Sequence, residues 1–426
     1  MSDSVESPKW VCGDTTGRDF PSSPQVLHDQ GRLFLSEILQ AADWLSPAHA
    51  PIDIAHFNLV DAGSTGQKCV IQVSDRNGAT LPPLFCKFSR AAHNQHRDAA
   101  RIQMASEVRL ALLSRHPAFP ITVPRVVFAD YEQRSGTGVL ITEAVDFAAP
   151  GIQAPFEKYR DDAIHAPVRY YQAVLDAIGT LAGTHQSGAL GTTLDQDFPF
   201  SQDKLAINVS GVCTPDEAVV RVNDLAQFMA DFPQLFPHSL TSGKLIENLR
   251  DFAPRVLEQR ETLIARLFEQ PEHIALCHWN AHLDNAWFWQ ADQTLKVGLF
   301  DWGHVGQMNL GMALWGCLSG ARPELWDEHF DKLLMTFCGA VQRAGGQTIE
   351  PVRLALQMDG YIALMGLDWL LDTPSRLRAT LEAMEGLSGA LDPRIHERER
   401  IRSPLGILTL FLHLWMSRDF ARLAEG

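Results

Sequence analysis

From position 54 the chain alternates between apolar and polar residues. Phe57 and Leu59 mark one arm, Cys69, Ile71 and Val73 mark another, and Gly63-Ser64-Thr65-Gly66 lies between them. Successive side chains of a strand point to opposite faces, so this period of two predicts a half-buried hairpin with a glycine-containing turn. A second turn, marked by Asp75, Asn77 and Gly78, leads to a third short strand, Leu84-Phe85-Cys86-Lys87-Phe88. The period then changes: residues 98–114 read as a helix, and 123–128 and 138–143 return as strands. A hairpin, a strand, a helix and two further strands predict a five-stranded antiparallel sheet with one helix. Upstream, Leu27, Leu33, Leu35, Ile38 and Leu39 recur at helical spacing within 24–45, so a helix precedes the sheet. Residues 1 to about 22 lack apolar periodicity and read as a loose leader.

After Pro150-Gly151 the pattern becomes helical, over 168–185, 216–236, 244–268, 323–344, 351–371 and the apolar stretch 404–416. The exception is 274–301, where short apolar runs alternate with polar clusters. The expected fold is therefore α+β, in two lobes. The division is 1–50 as leader and helix, 51–143 as a small antiparallel-sheet N-lobe, and 144–426 as a larger, mostly helical C-lobe.

Composition narrows the partners. Lys plus Arg total 36 against 51 Asp plus Glu, a formal charge of -15, which disfavours non-specific contact with nucleic acid or anionic membranes. The apolar stretch 404–416 is shorter than the ~20 residues that a membrane span requires. Seven scattered cysteines without a CxxC pair suit a reducing cytoplasm, and the first ten residues lack the basic start and apolar core of a secretory signal.

The chemistry concentrates in 276–303. Leu276 to Phe288 is an apolar run, a polar loop containing His278, Asn280, His282, Asp284 and Asn285, and a second apolar run. Val297 to Gly303 repeats the scheme as a short strand with Asp301 at its end. An amide oxygen from one loop and a carboxylate from the other make an oxygen donor set suited to Mg²⁺, which is usually shared with substrate phosphates.

These residues resemble the aminoglycoside phosphotransferase and choline kinase group, relatives of the protein kinases, whose hallmark is a loop H-G-D-x-H-x-x-N followed by I-D-W. His278, His282 and Asn285 match the loop without gaps, and Phe300-Asp301-Trp302 matches the second motif. The resemblance implies a protein-kinase-like fold that uses ATP and Mg²⁺, with Asn285 and Asp301 as metal ligands and His278 as a brace for the loop. It also implies that Gly63, Ser64, Thr65 and Gly66 cover the phosphates, that Lys87 meets them, and that Glu107 orients Lys87. Thr142 and Glu143 fall at the adenine-contacting hinge, and Leu181-Ala182-Gly183-Thr184-His185 resembles the family's L-A-x-L-H helix.

Two departures bear on activity. The family's catalytic-base Asp is Asn280 here, and the Gly before it is Trp279. A carboxylate accepts a hydroxyl proton, whereas a neutral amide does not. Asp284 is the nearest substitute carboxylate. At 307–311 a supporting carboxylate of the family is also missing. The expected activity is phosphoryl transfer from ATP to a hydroxyl of a small molecule. The alternatives are a nucleotide-binding pseudokinase and a kinase-fold enzyme with another transfer activity.

Overall fold

A computed structural model describes residues 8–60, 66–90, 97–202 and 213–425. The chain divides into two compact units. The first comprises residues 1–154, 190–198 and 298–305, and the second comprises 155–189, 199–297 and 306–426.

The first unit carries the expected sheet. Strands β3 (Asp53–Val60), β4 (Gln67–Ser74), β5 (Leu84–Phe88), β6 (Val126–Glu132) and β7 (Thr137–Glu143) form a five-stranded sheet in the order β3-β4-β5-β7-β6, with every neighbouring pair antiparallel. Cys69, Ile71 and Val73 of β4 and Leu84, Cys86 and Phe88 of β5 point into one core. Leu27, Phe34, Leu35 and Ile38, from helices α1 (Pro24–Gln30) and α2 (Arg32–Ala41), fill the same core. Helix α3 (Arg97–Leu113) lies against β6 and β7 through a second cluster, Met104, Val108 and Ala111 against Ala129 and Leu140.

Three expectations need correction. The stretch read as a loose leader forms a ribbon, with β1 (Trp10–Cys12) paired to β2 (Asp19–Pro21) and Phe20 fully buried against Phe128. Strands of three residues are too short to display a period. The buried Asp130 accepts from the Thr15 and Thr16 backbone amides and fastens this ribbon to β6. The single helix over 24–45 is interrupted at Gly31, whose amide closes α1 on the Leu27 carbonyl. The strand at 123–128 starts later because Thr122 bridges to Gly298 and accepts from the Leu299 amide at 2.9 Å.

The second unit is mostly helical. Helix α4 (Val168–Gln186) packs along the helix Pro323–Arg343. A Cβ on Gly183 would lie 2.2 Å from the Val341 carbonyl oxygen, so the glycine of the Leu181–His185 motif lets the helices approach. At the end of that motif, His185 Nδ1 accepts from the Leu276 amide at 3.2 Å and so supports the strand Ile274–His278. The expected helix over 244–268 is two, Gly243–Glu258 and Arg260–Arg266. At the break, Arg260 turns to the buried Asp368 with bonds of 2.8 and 2.7 Å. Among the described residues, no helix is long and apolar enough to cross a membrane.

Candidate functional site

The pleat of β5 decides where Lys87 goes. Its neighbours Cys86 and Phe88 face the core, so Lys87 stands on the opposite side of the sheet, the side that α3 covers. There it is 2% exposed, with Nζ 2.5 Å from Glu107 Oε2 and 2.8 Å from Asp301 Oδ1. Burial alone would lower the Lys87 pKa, but the Glu107 and Asp301 carboxylates outweigh it and hold it above the ordinary lysine range. Burial also raises the Glu107 pKa, and the nearby Asp301 charge adds to the rise against the pull of Lys87. Lys68 stands directly opposite Lys87 in the β4–β5 pairing. Burial and then the Lys87 charge push the Lys68 pKa down.

Asp301 sits in the left-handed region, with φ 59° and ψ 55°, where few non-glycine residues are found. The turn after it is fixed locally. Trp302 Nε1 donates to the Leu299 carbonyl at 3.2 Å, and Gly303 lies against Gln103 so closely that a Cβ there would be 3.2 Å from the Gln103 Cβ. Gln103 Nε2 is 3.2 Å from His304 Nε2. Gln103 and Glu107 are one helical turn apart on α3, so one face of this helix holds both the Asp301 turn and Lys87. Two ammonium groups and two carboxylates in one cluster suit a polyanion that brings its own cation.

Of the other residues expected at the nucleotide, Gly63, Ser64 and Thr65 lie outside the described residues. Gly66 has φ 112° and lies over the end of β5, where a Cβ would be 2.2 Å from the Phe88 carbonyl oxygen. Thr142 and Glu143 end β7. The Thr142 hydroxyl donates to the Glu143 carbonyl at 3.1 Å, and the Glu143 amide donates to the Arg125 carbonyl at 2.9 Å.

The second unit holds the loop that follows the strand Ile274–His278. His278 is fully buried, and its Nδ1 accepts from the Asn280 amide at 3.2 Å. Asn285 Nδ2 donates to the Asn280 carbonyl at 2.8 Å, so the Asn280 backbone is held from both sides. Trp279 Nε1 donates to the buried Tyr361 hydroxyl at 2.8 Å. A Cβ on Gly316 would lie 1.5 Å from the Trp279 carbonyl oxygen, so only glycine lets the helix Leu310–Leu318 pass under this loop. His282 contacts Ser319 at 3.3 Å, and burial, reinforced by Lys158 and His278, holds its pKa down to about 3. Asp284 Oδ2 is 3.3 Å from Lys158 Nζ. Burial pushes the Asp284 pKa up to about 6 against the pull of Lys158.

Within 307–311, Asn309 caps the helix Leu310–Leu318 by accepting from the Gly311 amide at 2.8 Å. Sequence reasoning missed Lys68, Gln103, Lys158 and Gly316. The spacing of Gln103 from Glu107 was a usable signal, whereas Lys68 needs the strand register, and Lys158 and Gly316 meet their partners only through the tertiary fold.

No protein-family model matches the chain, and no curated protein matches it. Solved structures are similar at low identity. A choline kinase from Cryptosporidium parvum Iowa II is 11% identical, with 91% of this chain and 95% of that chain covered and a TM-score of 0.44. A Plasmodium vivax ethanolamine kinase is 12% identical, with 93% and 95% covered and a TM-score of 0.44. A spectinomycin phosphotransferase solved with ADP and spectinomycin is 11% identical, with 92% and 97% covered and a TM-score of 0.40.

Proposed function

We propose that this chain is a small-molecule kinase of the cytoplasm that moves the terminal phosphoryl group of ATP, with Mg²⁺, to a hydroxyl acceptor. The observation that carries this reading is the buried cluster in which Lys87 is gripped by Glu107 on a helix and by Asp301 at a strand end. A lysine so placed keeps its charge at neutral pH and is fixed in direction, as a phosphate-binding ammonium must be.

The donor chemistry fits the implied cofactor. Asp301 is the more open of the two carboxylates, with 31% of its side chain exposed against 6% for Glu107, and a carboxylate is the hard oxygen donor that Mg²⁺ takes. In this reading Asp301 and Asn285 are the metal ligands, and Mg²⁺ when bound neutralises phosphate charge. Lys87 binds phosphate oxygens, Glu107 orients Lys87, residues 63–66 cover the phosphates, and Thr142 and Glu143 contact the adenine. His278 braces the loop through the Asn280 amide. Asn280 positions the acceptor hydroxyl by hydrogen bonding. Asp284, with a pKa near 6, is the carboxylate of the loop suited to take a proton near neutral pH.

The amide at Asn280 favours a second reading, a nucleotide-binding protein without transfer. One comparison separates the two: ATP consumption by wild type and Asn280→Asp across a panel of hydroxylated metabolites, with ATP binding measured with and without Mg²⁺. Turnover by wild type that falls at least about a hundredfold in Asp301→Ala is the expected result. An inert wild type that binds ATP and an active Asn280→Asp variant would establish the second reading. Absence of ATP binding would sink both.

A further inference from the structure

Lys68 and Lys87 are direct partners across β4 and β5, so the pleat sends both side chains to the same face of the sheet. Like charges directly opposite on neighbouring strands are destabilising. The pair is also short of water, since Lys87 is buried and Lys68 half-buried. Glu107 and Asp301 offset part of the repulsion, yet both are already within 2.8 Å of Lys87. Two ammonium groups and two carboxylates balance in number there, and a metal ion held by Asp301 would leave the two lysines one carboxylate short. Gly66, two residues before Lys68, places the end of the β3–β4 turn over the Phe88 carbonyl, at the same end of β5 as Lys87.

We infer that Lys68 and Lys87 form a two-lysine clamp for a polyphosphate chain, with Lys68 as a second phosphate-binding residue that selects ligands carrying two or more linked phosphates. An anion between the two ammonium groups replaces their repulsion by two charge-assisted contacts. The lowered proton affinity of Lys68 agrees with this arrangement, because such perturbation gathers at ligand sites. The inference deepens the nucleotide reading and rests on it for the identity of the ligand, while the clamp itself requires only the phosphates.

The test uses the full chain and its Lys68→Met variant, which keeps an unbranched side chain and removes the charge. Calorimetric titration with ATP, AMP and inorganic tripolyphosphate, each with Mg²⁺, is run on both proteins, with melting temperatures alongside. The expected result is affinity for ATP and tripolyphosphate about tenfold weaker in the variant and affinity for AMP changed by less than about twofold. The melting temperature of the variant reports whether its fold survives the substitution. A lysine serving only the fold would leave the ATP to AMP affinity ratio alone, whatever its effect on the melting temperature. Equal weakening of ATP and AMP, or unchanged ATP affinity, overturns the clamp. A wild type that binds tripolyphosphate through Lys68 but not ATP retains the clamp and removes the nucleotide reading, and a wild type that binds none of the three removes both.

Discussion

Asp284 shows how burial alters a single group. Among the described residues its Oδ1 is buried without a hydrogen-bond partner, and its Oδ2 lies 3.3 Å from Lys158 Nζ. The folded protein therefore holds a proton there up to about pH 6, whereas the ordinary aspartate value is 3.8. Between those values the folded state binds a proton that the unfolded state has lost, so stability falls as pH rises through the window and stays reduced above it. The full cost at neutral pH is on the order of 3 kcal/mol. His282 has the opposite sign. Its folded pKa is about 3 against the ordinary histidine value of 6.5, so its contribution is lost as pH falls below 6.5. Asp284→Asn should be more stable than wild type by about 2–3 kcal/mol at pH 7.5, with the gap closing as pH approaches 4. Urea unfolding at four pH values checks this, and a gap that is constant with pH contradicts the assigned cause.

At the scale of elements, the helix Leu310–Leu318 fixes the loop that bears Asn280. Its residues are all buried, and the close approach of Gly316 to the Trp279 carbonyl leaves no room for a methyl group. Gly316→Ala must move either the helix or the loop, and the expected loss of stability is about 2–4 kcal/mol. Gly339 is a control on the helix Pro323–Arg343, because a Cβ there meets only the flexible end of Arg343. Gly339→Ala should be neutral or gain up to about 1 kcal/mol. Equal melting temperatures for the two variants would refute the role given to Gly316.

The same elements show what was legible. Strand β5 and helix α3 lie where their periods put them, because each buries one continuous face. The β1–β2 ribbon and the late start of β6 were not legible, since both depend on pairings with distant segments. Among candidate site residues, Lys87, Glu107 and Asp301 stood out by type and order along the chain, and the structure brings them together. Lys68 did not stand out, because its significance appears only when the register sets it against Lys87. The breaks at Gly31 and Gln259 were hidden because helical periodicity continues across them.

At the scale of the whole chain, the charge of -15 is not all solubilising surface. Some carboxylates lie inside and are matched by arginines, and the match at Asp359 ties the end of the chain to the second unit. Asp359 is 1% exposed and accepts from Arg418 Nε at 2.5 Å and from Arg422 Nη2 at 2.6 Å. Burial raises its pKa, and the two guanidinium groups oppose the rise. Removing both arginines as Arg418→Met/Arg422→Met would leave a buried carboxylate unpaired, with an expected loss of about 3–5 kcal/mol at pH 7. The loss should shrink at acid pH, where Asp359 takes a proton and no longer needs the arginines. Adding Asp359→Asn should recover most of it at pH 7, because a neutral amide tolerates the site better than a lone carboxylate. Differential scanning calorimetry of the double and triple variants decides the point. If the triple variant is no more stable than the double, the arginines act by packing, as Arg418 over the Phe330 ring could, and not by charge.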